Sequence, residues 1–545
     1  MTPLNALTRR DFLKLISMGV TSLSLSGCVS SLEESSVSGK RPNILFIMSD
    51  DHAAPAISAY RGFLSGITKT PNLDRIAKEG MLFKNCFCTN SICAPSRAVI
   101  LTGKYSHLNG VIDNEKRFDG SQQTYPKLLQ QAGYETAMIG KWHLVSDPTG
   151  FDYWQILPDQ GEYYNPWFIQ MDGTEKQYEG YCTDLITDFS IDWLEKYRDK
   201  SKPFLLISQH KSPHRPWSPP PRHLGTYKEG TIPEPETLFP DHSKRCPASD
   251  QSDMSIRNTF YWGHDMKFKG DNPFPNHFLS GKEDGEYEGM TEEQQRQWDA
   301  YYAPINQVFI QDMKAGKLSD EDVVRWKYQR YMHDYLGTVA AMDDSIGRLL
   351  DYLDEKGLAE NTIIVYTSDQ GFFLGDHGWF DKRFMYEDSL RMPLVVRWPN
   401  TIKPGSVNKD IVLNLDFAET FLDIAGVKIP ADMQGQSMKP ILLGNTPKDW
   451  RASMYYHYYE YPSVHSVKRH YGIRTEHYKL IHFYYDIDCW ELFDLKKDPL
   501  ELTNLYDDPA YAQVVKKLKV ELMRLKKEFG DTSDRYTVPK KNYEK

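Results

Sequence analysis

Short apolar runs, each ending in a polar cluster, set the strongest limit on how this chain can fold. Residues 43–48 run straight into Ser49, Asp50 and Asp51. Residues 136–139 end in Gly140, Lys141, Trp142 and His143, and residues 204–208 lead to His210, Lys211 and His214. Residues 362–367 end in Ser368, Asp369 and Gln370, and 393–396 add a fifth run. A continuous apolar run of this length is the pattern of a strand buried on both faces. Between the runs, periodicity predicts helices over 71–80, 124–132, 182–197, 323–356 and 416–425. Strands alternating with helices imply an α/β fold with a largely parallel central sheet flanked by helices. In such folds ligand groups gather outside the carboxyl ends of the strands, which is where the polar clusters stand.

The remaining segments break this rhythm. Residues 218–320 are rich in Pro, Asp, Gly and aromatics and read as a long insertion packed near the site. From about residue 440 short antiparallel strands are expected at 454–459, 470–474, 478–483 and 490–494, then an amphipathic helix over 512–529. The division expected is therefore 1–40, a catalytic domain over 41–440 and a small C-terminal subdomain of antiparallel sheet and helix over 441–545. Residues 1–40 read as an address. Arg9 and Arg10, a short apolar stretch and the small residues before Cys28 make a twin-arginine secretory signal. The segment ending in Cys28 also resembles a bacterial lipobox, with a Ser- and Glu-rich tether behind it. Cys28 is then a lipidated first residue, and the protein a periplasmic or cell-surface lipoprotein.

Composition excludes little but excludes it firmly. With 65 basic against 75 acidic residues and a net charge of -10, nothing supplies the broad basic surface that nucleic acid requires. A polyanionic substrate remains compatible if positive charge is concentrated in one pocket. The 7 cysteines are odd in number and irregular in spacing, which argues against a disulfide framework while leaving one or two bridges open. Cys86, Cys88 and Cys93 lack the paired spacing of a zinc site.

The stretch from Ser91 to Gly103 carries the chemistry. Cys93 followed by Pro95 reads as the start of a helix, where an anion is favoured. Arg97 comes one turn later, so both can face one site. A buried structural cysteine and an activated thiolate both fit this much. The pattern Cys93, Pro95, Ser96, Arg97, followed by apolar residues and Thr102-Gly103, resembles the signature of type I sulfatases. A second match runs from Gly133 to His143, and the late segment from Trp490 to Leu505 is similar to a sulfatase C-terminal subdomain. The resemblance covers nearly the whole chain from Arg41 and implies the alkaline-phosphatase-like sulfatase fold.

In that family the cysteine is oxidised by a maturation enzyme to formylglycine. One hydroxyl of its hydrate attacks sulfur, and the second expels sulfate by collapse of the hemiacetal. The resemblance gives Cys93 that role. It implies a calcium ion held by Asp50, Asp51, Asp369, Gln370 and the converted Cys93, with Gln370 standing where the family usually has Asn. By position, Arg97 and Lys104 resemble residues that hold the nucleophile, and Lys141 and His143 resemble sulfate and nucleophile contacts. His214 matches the family's candidate general acid, and Lys382 its late sulfate-binding lysine. Asp376, His377 and Arg383 join Lys104 as expected substrate contacts. The segment from Ser368 to Asp388 looks most like N-acetylglucosamine-6-sulfatases acting on glycosaminoglycans. The alternatives are sulfatases of uronate, galactose or fucose sulfates, a phosphodiesterase of the wider superfamily, and a carbohydrate-binding protein with a dead site.

Overall fold

A computed structural model describes residues 41–228 and 230–532, so the expected signal, its tether and Cys28 lie outside the described residues. Strand β1 (Asn43–Ser49) is buried along its whole length. Ile44, Phe46 and Met48 enter one hydrophobic core, and Leu45 and Ile47 enter another. Alternation therefore explains why the run is apolar at every position.

The other strands of the sheet are β2 (Met81–Phe87), β3 (Glu135–Lys141), β4 (Tyr153–Leu157), β5 (Trp167–Gln170), β6 (Glu175–Gln177), β7 (Phe204–Gln209), β8 (Thr362–Ser368), β9 (Arg391–Arg397), β10 (Ser406–Asn408) and β11 (Val412–Leu413). Their order is β10-β2-β9-β8-β1-β7-β3-β4-β5-β6, with β11 beside β2. The stretch from β8 to β4 is parallel, and β9, β5 and β6 join antiparallel.

The principal helices are α1 (Pro71–Glu79), α2 (Cys93–Thr102), α3 (Tyr125–Gln131), α4 (Cys182–Asp192), α5 (Glu292–Lys314), α6 (Asp320–Glu355), α7 (Phe417–Ile424) and α8 (Ala512–Glu528). Helices α1, α4 and α6 pack on the face of Leu45 and Ile47. Helices α2, α3 and α7 pack on the face of Ile44, Phe46 and Met48.

Residues 218–320 contain more regular structure than their composition suggests. Helix α5 starts from a capping box of Thr291 and Gln294 and continues through Pro304. It buries Trp298, Tyr302, Asn306 and Phe309, a helical spacing that the interior proline disguises. The insertion has its own core, in which Trp217, Phe260 and Phe268 meet Tyr328, Tyr331 and Tyr335 of α6. A disulfide joins Cys246 of the insertion to Cys489. Cys489 opens the last strand of a second sheet, β12 (Ser453–Tyr458), β13 (His470–Thr475), β14 (Tyr478–Phe483) and β15 (Cys489–Asp494), antiparallel in that order. Its buried face shares one hydrophobic core with α2 and α7, and α8 covers it through Leu518, Leu522 and Leu525.

Candidate active site

Strand register gathers the polar clusters. Ser49 of β1 lies opposite Ser368 of β8, which sets Asp50 and Asp51 beside Asp369 and Gln370. Gln209 of β7 lies opposite Met48 on one side and Gly140 on the other, so Lys141 flanks the same edge. Gly140 has φ +102°, and a Cβ there would sit 2.0 Å from the Gln209 carbonyl oxygen. Only glycine lets β3 approach β7 this closely.

Cys93 opens α2, all ten of whose residues are buried. Its Sγ donates to Asp50 Oδ1 at 3.3 Å. Burial and the Asp50 carboxylate push the thiol well above its ordinary range, the opposite of a setting that makes a thiolate. One turn on, the Arg97 guanidinium ties the strand ends together. Its Nε and Nη2 donate to Asp369 Oδ2 at 3.1 and 2.9 Å. Its Nη1 donates to the Lys141 carbonyl at 2.6 Å and to Gln209 Oε1 at 2.7 Å.

Asp50, Asp51 and Asp369 each bring a carboxylate oxygen within 4.8 Å of the others. Gln370 donates to Asp51 Oδ1 at 2.6 Å, while its own Oε1 is buried without a partner. Burial pushes Asp51 up to about 7 against the pull of Lys382, with Asp50 and Asp369 adding to the rise. Burial and Asp50 push Asp369 up to about 6. Crowded buried carboxylates beside an orphaned amide oxygen fit a hard divalent cation. The longer reach of glutamine does not take Gln370 out of the set.

Cations close the pocket. Lys141 donates to Asp50 Oδ2, and Lys382 to Asp51 at 2.8 Å. Asp381 and Asp51 hold the Lys382 ammonium well above its usual range, despite the opposing effect of burial. His143 lies after β3, 2.9 Å from Gln160 Nε2. His214 directs Nδ1 at the Arg215 carbonyl at 2.7 Å, so Nδ1 carries the proton. Its Nε2 lies 3.6 Å from Asp51 Oδ2. Burial, reinforced by the Lys141 ammonium, holds His214 well below the usual histidine range. His214 is therefore neutral in the free enzyme. To act as an acid, its Nε2 has first to gain a proton. His214→Ala is expected to lower kcat about 10²- to 10⁴-fold on a sugar sulfate. The loss should be much smaller on an aryl sulfate, whose phenolate leaves without protonation. Equal losses on both substrates would remove His214 from the acid role.

Four expected contacts fall elsewhere. Lys104 follows α2 and pairs with Asp432 at 2.5 Å. A helix rises about 1.5 Å per residue, so it carries Lys104 away from Cys93 at its other end. Arg383 donates to Asp381 at 3.1 Å, to Tyr458 at 3.1 Å and to Glu460, so its charge is spent on binding the loop to β12. His377 is buried among Phe373, Trp379 and Tyr386, with Nε2 3.9 Å from Asp388 Oδ2. Burial pushes its neighbour Asp376 up to about 6. Among the described residues, neither has a hydrogen bond or ion pair to the Cys93 centre. Sequence reasoning missed Gln209, Gln160, Asp381 and Asn114, whose Oδ1 accepts from the Ala94 amide at 3.0 Å. Gln209 alone carried a signal, as the polar end of an apolar run.

Comparison with known proteins finds relatives of this chain. The family described as Sulfatase matches residues 42–427, and the family described as N-sulphoglucosamine sulphohydrolase, C-terminal, matches 375–528. The chain is 51% identical over 517 residues to an N-acetylglucosamine-6-O-sulfatase of Bacteroides thetaiotaomicron, covering 94% of this chain and 90% of that one. It resembles, with a TM-score of 0.86 and 52% identity over 90% of this chain and 99% of the other, a structure solved in complex with its substrate D-glucosamine-2-N,6-O-disulfate. A phosphonate monoester hydrolase of Agrobacterium radiobacter shares the fold alone, with a TM-score of 0.65 and 21% identity over 90% of this chain and 96% of the other. The family match spans the whole catalytic sheet and a half-identical relative follows almost the full length, so the chain belongs to the sulfatase family.

Proposed function

We propose that this sulfatase removes the 6-O-sulfate from N-acetylglucosamine, or from glucosamine with another 2-N substituent, in a glycosaminoglycan or related glycan. The observation that carries the reading is 51% identity, along 94% of the chain, to a relative named for that activity. Lys141 and Lys382, each held on a carboxylate, are the side chains to grip the sulfate oxygens. Arg97 keeps Asp369 and the strand ends fixed while charge changes in the pocket. His214 Nε2 is the site that gains a proton and passes it to the leaving alcohol. Cys93, once oxidised by a maturation enzyme, supplies a hydrated aldehyde as nucleophile. A calcium ion on Asp50, Asp51, Asp369, Gln370 and the converted Cys93 supplies charge for the sulfate oxygens. Its identity is read by restoring chelator-treated enzyme with calcium, magnesium or zinc. Calcium is expected to restore most activity.

The reading includes twin-arginine export and lipid attachment at Cys28, so the protein works in the periplasm or at the cell surface. The Cys246–Cys489 bridge supports a life in an oxidising compartment. Cys28→Ala should move the protein from the membrane fraction to the soluble one. The substrate is tested with defined sulfated mono- and disaccharides, 6-sulfated N-acetylglucosamine among them. Clear turnover of a galactose, uronate or fucose sulfate beside none of that sugar would overturn the assignment.

A further inference from the structure

Gln160 sits in a turn after β4, where the Gly161 amide donates to the Pro158 carbonyl at 2.9 Å. Strand β4 runs parallel to β3 with Leu157 opposite Lys141, so this turn stands against the residues that follow β3. The Gln160 side chain spans two of them. Its Oε1 accepts from Lys141 Nζ at 2.5 Å, and its Nε2 lies 2.9 Å from His143 Nε2. An ammonium only donates, so Lys141 decides which end of the amide is oxygen. The amide NH₂ then faces His143 Nε2, which has to accept. A neutral imidazole carries one proton, and here it sits on Nδ1. That nitrogen is buried and has no hydrogen-bond partner among the described residues.

We propose that Gln160 is a positioning residue that holds His143 in the tautomer protonated at Nδ1, leaving that N–H as the ring's one donor for the sulfate or the nucleophile. The charged groups facing the ring are Lys141, Asp159, Arg97 and Asp50. Among the described residues Asp159 is the one rival for Nε2, at 3.4 Å, but its side chain is 82% exposed and its charge is screened by solvent. Burial and the Lys141 ammonium hold His143 down at about 4, so the ring is neutral in the working range. The inference rests on the sulfatase reading for its chemistry, and on the Gln160 contacts alone for the tautomer.

The tautomer is read by ¹⁵N NMR of histidine-labelled protein, with the His143 resonances assigned by their loss in His143→Gln. Wild type should show Nδ1 protonated and Nε2 bare. A protonated Nε2 in wild type overturns the proposal. Gln160→Glu keeps an acceptor for Lys141 but offers Nε2 only oxygen, so the ring should protonate at Nε2 and its pKa should rise. In sulfate release this variant should lose about tenfold to a hundredfold in kcat/KM above that raised pKa. It should recover below it, where the imidazolium again offers an Nδ1 proton. Gln160→Ala should lose activity without such recovery. A loss in Gln160→Glu that does not change with pH would mark a merely structural residue and overturn the proposal. If wild type releases no sulfate from 6-sulfated N-acetylglucosamine, the substrate reading fails, and the NMR result decides the tautomer on its own.

Discussion

Cys93→Ala should lower kcat for sulfate release by about 10⁶-fold, the scale on which removal of a nucleophile falls, and leave the unfolding midpoint nearly unchanged. The two effects separate because of where Cys93 sits. Its thiol makes two long polar contacts, to Asp50 and Gln370, and its place at the head of α2 suits alanine as well as cysteine. Among the described residues no other free thiol is placed to take over, since Cys86, Cys88 and Cys182 are buried in apolar cores. Cys93→Ser sharpens the test. A serine hydroxyl can be sulfated but has no second hydroxyl to expel the sulfate, so the variant should accumulate one covalent sulfo group, visible in the intact mass. Mass spectrometry of the wild-type peptide around Cys93 should show the aldehyde. Full activity with an unmodified thiol would end the formylglycine mechanism.

Arg97→Ala should cost about 3–5 kcal/mol of stability, as loss of one partner of a buried ion pair does, and should also remove measurable turnover. The guanidinium is 2% exposed and serves three strand ends at once. Without it the Gln209 amide oxygen and the Lys141 carbonyl are buried without that donor, and Asp369 loses its cation. Arg97→Lys keeps the charge but not the fork that reaches two elements together, so it should recover part of the stability and little of the activity. Urea unfolding checks the first effect and sulfate release the second. A change below about 1 kcal/mol in Arg97→Ala would mean that the contacts are replaced by water.

The parts of this site legible in the sequence are those that local chemistry dictates. A short continuous apolar run ending in a polar cluster is the pattern of a strand buried on both faces, so β1, β3, β7 and β8 and the polar residues at their ends could be read directly. Cys93, Arg97 and the three aspartates followed from them and from the motif. Gln160 could not be read, because β4 mixes Tyr153 and Gln155 into its apolar residues and Gln160 matters only through its contacts across the turn. Lys104 and Arg383 pair with acids that the sequence did not point to, for a related reason. Spacing along the chain fixes neither how far a helix carries a residue nor which acid waits for a charge. Asp432 and Glu460, far away in sequence, decide both. Helix α5 was hidden by Pro304, and the bridge from Cys246 to Cys489 by a separation of 243 residues.

The burial of Cys93 bears on when the protein can be made active. In the folded chain this residue is 1% exposed, at the head of a helix with no exposed residue. A second protein that must grasp the peptide and oxidise the thiol has no access once α2 has docked. If Cys93 is converted by a maturation enzyme as proposed, maturation and folding compete for the same chain, and the fraction of active molecules is fixed by a race rather than by an equilibrium. Slower translation or delayed docking of α2 should raise that fraction, and rapid overproduction should leave a stable, well-folded and permanently inactive population.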